Sequence, residues 1–163
     1  MTRYLYVLTL AILSALFSCK SPNHEINIQS DTVLEAKFEQ MTNKVWSKKS
    51  KLIFRLDTLT NYSWDSVIIL TPYYPIYKIE QKTKIDFTAV RHTAIVNDEV
   101  SNVLAFIKNG QLINYVDLPR NKGDFLRFQD SINIFTKDNC LFEFEEPSKL
   151  SAGMPLLKVK HTK

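Results

Sequence analysis

Glycine is scarce in this chain, with 3 in 163 residues. That excludes glycine-rich phosphate loops, and neither G-x-G-x-x-G nor G-K-[ST] occurs. Cysteine is scarcer still: the 2 residues are Cys19 and Cys140, too few for a disulfide framework. The 3 histidines, His24, His92 and His161, form no H-x₃-H, H-E-x-x-H or paired Cys/His spacing. No metal site and no cofactor motif is therefore expected. Excess charge is small, at +4, and a mild surplus of lysine is not a nucleic-acid footprint. Internal repeats and low-complexity tracts are absent, so solenoid and fibrous architectures fall away.

What is present begins at the N-terminus. MTRYLYVLTLAILSALFSCK carries one basic residue, Arg3, then an apolar run from Leu5 to Phe17 that stops at Ser18-Cys19. A basic start, an apolar middle and a small residue at the cut form the layout of an export signal. The apolar run is shorter than the roughly 20 residues a spanning helix needs. Leu16-Phe17-Ser18-Cys19 resembles the lipobox of bacterial lipoproteins. That resemblance implies removal of residues 1–18, lipidation of Cys19, and anchoring through acyl chains. Lys20 follows the cysteine where aspartate would imply inner-membrane retention, so the resemblance implies an outer-membrane address in the cell envelope. Residues 19–30 are polar and read as a flexible tether, which leaves 31–163 as a single domain.

The domain is 45% hydrophobic and 12% aromatic when reckoned over the whole chain, a composition that buries a core. Thr32-Val33-Leu34-Glu35 fits a capping box and predicts a helix from Thr32 to about Trp46. Leu34, Phe38, Met41 and Val45 form its apolar stripe. Leu52–Asp57 alternates as a strand should, and Val67–Leu70 is a continuous apolar run suited to a central strand. Thr71-Pro72-Tyr73-Tyr74-Pro75 ends that strand, and a short helix follows from Ile76 with Ile76 and Ile79 inward. Asn109-Gly110 between two apolar runs predicts a type I′ hairpin. Further strands are expected at 125–128, 132–135, 140–144 and 156–159. The fold class is thus α+β, an N-terminal helix packed on a mostly antiparallel sheet.

Chemistry-bearing patterns are few. Any hydrolase reading needs His92 as its base, because His24 and His161 fall in tails. Asp98-Glu99 and Glu145-Glu146 are adjacent pairs, which point to opposite faces of a strand. Cys140 shares a strand face with Phe142 and Phe144 and reads as a buried apolar residue. The aromatic loops stand out: Trp64 at one end of the central strand, Tyr73 and Tyr74 at the other. Exposed, they would serve as binding anchors; buried, they would plug the core. The segment from Trp64 to Tyr73 is similar to one found in uncharacterised small exported bacterial proteins. The functional expectation is a membrane-anchored binding module without catalysis, with an envelope protein as partner. The alternatives are a small-ligand or glycan carrier and an unrecognised hydrolase.

Overall fold

The computed structural model describes residues 28–48, 50–93, 95, 99–125, 133–145 and 155–160. The signal segment, Cys19, His24, Asp98, Glu146 and His161 lie outside the described residues, as does most of the strand expected at 125–128.

Helix α1 runs from Thr32 to Lys48. Its amino end is capped by Asp31, not Thr32: the Leu34 N–H donates to Asp31 Oδ1 at 2.9 Å. Aspartate before the first helical residue meets an N–H that the helix itself leaves unpaired. Glu35, freed from the expected box, pairs instead with Lys122 at 2.9 Å. Leu34, Phe38, Thr42 and Val45 form the buried stripe, with Met41 at its margin.

Among the described residues eight strands follow: β1 Leu52–Arg55, β2 Ser66–Leu70, β3 Ser101–Lys108, β4 Gln111–Pro119, β5 Asp124–Phe125, β6 Asn133–Thr136, β7 Leu141–Glu145 and β8 Leu156–Val159. They form two four-stranded sheets rather than one, ordered β1-β7-β8-β5 and β4-β3-β2-β6. Every pairing is antiparallel except β5 with β8. The class is α+β, with the N-terminal helix packed into the sheets.

The two sheets face each other across the larger core. Leu34, Phe38 and Val45 of α1 join Phe54, Phe142, Phe144 and Leu157 of one sheet and Val67, Ile69, Leu104 and Phe106 of the other. Phe135 on β6 meets Phe142 on β7 edge-on at 5.3 Å, an aromatic bridge between the sheets. Phe54 stacks on Phe142 at 5.8 Å and meets the Phe38 edge at 5.8 Å. Aromatic pairs of this geometry add about 0.5–1.5 kcal/mol beyond their buried area.

Helix α2, Ile76–Thr83, and the 3₁₀ turn Thr88–His92 cover the far side of the β4-β3-β2-β6 sheet. Ile76, Ile79, Phe87 and Val90 pack there on Ile68, Leu70, Val103, Ala105 and Ile107. The central strands β2 and β3 are buried on both faces, which explains why Val67–Leu70 and Val103–Ile107 are unbroken apolar runs. The hairpin is as expected: Asn109 and Gly110 adopt φ of 51° and 73°. Asp65 Oδ2 accepts from the Asn109 N–H at 2.8 Å and ties the turn to the start of β2. A bulge between Phe106 and Ile107 sets Ile113 opposite no partner, so β4 twists along its length.

The folded chain reaches back into the segment read as tether. Ser30 bridges Tyr115 in parallel, the Asp31 N–H donates to the Tyr115 carbonyl at 2.7 Å, and Ile28 packs on the second core. This short stretch covers the free edge of β4.

Candidate functional site

Trp64 is a core residue, 1% exposed. Its Nε1–H donates to Thr60 Oγ1 at 3.0 Å and its ring leans on Phe106 at 5.6 Å. Trp64 is therefore no surface anchor: of the two readings its loop allowed, it takes the buried one and plugs the core, so it drops out of the candidate binding surface. The cause is local. The Asp65 N–H donates to the Ile107 carbonyl, which draws residue 64 in beside the Val67 face of β2. Tyr62 follows it, edge-on to Phe106 at 5.3 Å. Burial pushes the Tyr62 phenol pKa up, and the nearby Asp31 carboxylate adds to the rise.

The other end of β2 is different. A five-residue strand spans about 17 Å, so the Trp64 and Tyr73 ends form separate regions. Tyr73 is 53% exposed and sits at φ 59°, its N–H donating to the Ile95 carbonyl at 2.9 Å. A left-handed backbone at a bulky residue is uncommon and costs about 1–2 kcal/mol. The turn needs it because the Tyr74 N–H donates to the Thr71 carbonyl at 3.1 Å, which puts Pro72 second and Tyr73 third in a β-turn whose third residue takes positive φ. Tyr74 turns inward to the second core, and burial raises its phenol pKa. Tyr77, which the sequence reading passed over, is 55% exposed on α2. Its position followed from the helix period: with Ile76 and Ile79 inward, residue 77 points out. Tyr73 and Tyr77 thus share the α2 end of the molecule, and Trp64 does not join them.

Cys140 is buried, as its strand face implied. Adjacent sequence offers it no charged neighbour, but the fold does: its Sγ lies 3.4 Å from Asp57 Oδ1 and 3.8 Å from Arg55 Nη2. Arg55 also chelates Asp57 with two bonds of 3.1 Å. Burial pushes the thiol pKa up, and the Asp57 carboxylate adds to the rise, while the Asp57 backbone and the Arg55 guanidinium pull against it. The thiol stays protonated and closes the seam between the end of β1 and the start of β7, where the Leu56 N–H donates to the Cys140 carbonyl at 3.0 Å. It is poorly suited to act as a nucleophile.

His92 ends the 3₁₀ turn and is exposed, with its neighbour Arg91 paired to Glu80. An exposed imidazole at that turn lacks the enclosed surroundings that the hydrolase reading asked of it. Among the described residues no three His, Cys, Asp or Glu side chains converge as metal ligands. No helix among them is long and apolar enough to cross a membrane.

A further concavity lies where α1 starts beside the β3–β4 end of its sheet. It measures 390 Å³ and is lined by Ser30, Thr32, Glu35, Val100, Ser101, Asp117 and Pro119. Ser101 is 3% exposed, yet among the described residues its Oγ has no hydrogen-bond partner, and the same holds for Asp117 Oδ1. Leaving such an oxygen unpaired costs about 1–3 kcal/mol. The Asp117 N–H donates to Ser30 Oγ at 2.9 Å, which holds the two walls together. Sequence reading missed this cleft because its polar residues come from three distant stretches of chain, none forming a motif. Alternating burial along β4 was the one available signal, since Asp117 falls between buried Val116 and Leu118.

Comparison with protein-family models, with curated proteins and with solved structures finds no match for this chain.

Proposed function

We propose that this chain is a lipid-anchored binding module of the bacterial cell envelope, tethered at the outer membrane through Cys19, that engages another envelope protein without catalysis. The observation that supports a binding role is the Tyr73–Tyr77 surface. Two tyrosines, 53% and 55% exposed, stand on a turn and helix backed by a filled core. Tyrosine suits recognition because it offers a large apolar ring and a hydroxyl with few rotatable bonds to freeze. The lipobox-like Leu16–Cys19 supports the anchor, and two or more acyl chains hold a protein to a bilayer far better than one.

The test is crosslinking and pull-down of the full-length protein from its own membranes, beside Cys19→Ser and Tyr73→Ser/Tyr77→Ser variants. A partner captured by the native chain and lost in the tyrosine variant supports the reading. Incorporation of labelled palmitate into the native chain but not Cys19→Ser supports the anchor. Capture unaffected by the tyrosine changes removes that surface from the function, and absence of label removes the anchor.

A further inference from the structure

The cleft between α1 and the β3–β4 end is acidic and holds oxygen atoms without partners. Ser101 and Pro119 are opposite each other across β3 and β4, and Asp117 lies two residues before Pro119 on the same strand face. Such diagonal neighbours stand about 7–8 Å apart. Both residues line the cleft, and among the described residues Ser101 Oγ and Asp117 Oδ1 have no hydrogen-bond partner. Ser30 Oγ, on the opposite wall, accepts one N–H from Asp117 and keeps a second lone pair.

The charges select the ligand. Among the described residues the nearby cations are committed elsewhere: Lys122 to Glu35 and Glu39, Arg120 to Asp124 and the Glu99 carbonyl. Among the described residues Asp117 makes no ion pair. An anion would face Asp117 and Glu35 together, and the Asp31 carboxylate already sits on the amino end of α1. What the cleft lacks is a cation with several donors and no acceptor. A primary ammonium is such a group, with three N–H donors. Val100 and Pro119 supply an apolar wall for a short carbon stem.

We propose that this cleft binds the primary ammonium group of a small polar molecule, its charge on Asp117 and its N–H groups shared among Asp117 Oδ1, Ser101 Oγ and Ser30 Oγ. The site is independent of the lipid anchor and of the Tyr73–Tyr77 surface.

The test is titration of the full chain, ¹⁵N-labelled in detergent micelles, with ethanolamine and with glucosamine, reading the amide shifts of Ser30, Ser101 and Asp117. Choline, which keeps the charge without N–H donors, and N-acetylglucosamine, which loses the charge, are the controls. Saturable shifts with either amine, and binding at least about tenfold weaker with choline, are expected. Response to ethanolamine alone assigns the cleft to amino alcohols, and response to glucosamine assigns it to amino sugars; both support the ammonium site. Asp117→Asn lowers affinity at least about tenfold. Ser101→Ala lowers it about fivefold without lowering the thermal midpoint of the free protein, since its Oγ has no protein partner to lose. If Asp117→Asn fails to give a folded amide spectrum, Ser101→Ala decides. Silence toward both amines, choline binding equal to ethanolamine, or unchanged affinity in the variants overturns the proposal.

Discussion

Replacing Gly123 with alanine tests the packing between the sheets at a single point. An added Cβ there would lie 2.8 Å from Leu157 Cδ1, 3.2 Å from Phe144 Cζ and 3.5 Å from Leu118 Cδ2. The last is ordinary contact; the first requires movement. Leu157, Phe144 and Leu118 are all fully buried, so neither the leucine nor the ring has solvent to move into. Phe144 is further hemmed in by Phe38 at 6.3 Å and Phe54 at 5.7 Å. Forcing a methyl into a filled core costs about 1–3 kcal/mol. Stiffening the unfolded chain returns about 0.4–1 kcal/mol. The net loss is about 1–2 kcal/mol, a fall in thermal midpoint of roughly 3–10 °C for a domain of this size. Gly110→Ala serves as the contrast. Nothing lies within 4 Å of its Cβ, but its φ of 73° disfavours alanine by about 1 kcal/mol. Asparagine tolerates that backbone, so Gly110→Asn recovers most of the loss while Gly123→Asn deepens it. The assay is thermal and urea unfolding of the full chain and the four variants. A Gly123→Ala midpoint equal to or above that of the native chain would refute the closeness of β5, β7 and β8 at this seam.

Asp31→Ala should lower stability by about 1 kcal/mol by uncapping α1, and Thr32→Ala by much less; equal losses in urea melts would restore Thr32 as the cap. Cys140 should react slowly with Ellman's reagent at neutral pH and rapidly in urea, since burial keeps its thiol protonated; fast labelling of the folded chain would contradict the closed β1–β7 seam. The outer face of the β1-β7-β8-β5 sheet carries a pH dependence. Lys51 and Lys160 hold the Glu143 carboxyl below its ordinary range, and Lys158 and Lys51 do the same for Glu145. A depressed carboxyl adds stability that is present above its unfolded pKa, near 4.3, and is lost as pH falls through the lower folded value. The urea midpoint should therefore drop below about pH 4.3, and less steeply in Lys51→Gln or in about 1 M salt, where screening shortens to about 3 Å. Identical slopes in all three would remove these ion pairs from the acid response.

Local signals in the chain were sufficient for several of its elements. The Asn109-Gly110 hairpin, the Ile76 helix and the α1 stripe are all present where periodicity and turn chemistry put them. Each depends on residues a few positions apart, and backbone geometry reads those directly. The choice between Asp31 and Thr32 as the cap was the near miss. Both are good capping residues, and the one whose oxygen reaches the free N–H is decided by where the chain leaves the edge of β4.

The sequence by itself determined the α+β class, the apolar faces and the solvent-facing side of α2, because these follow from repeats of 2 and 3.6 residues. Only the tertiary structure decided that eight strands divide into two sheets, that Trp64 is sealed in the core, and that Arg55 and Asp57 meet Cys140. Only it brought Ser30, Ser101 and Asp117 to one cleft. Those outcomes rest on pairings between residues tens of positions apart. Such pairings are settled by how the buried faces of the whole chain fit together, a competition that no local stretch of sequence records.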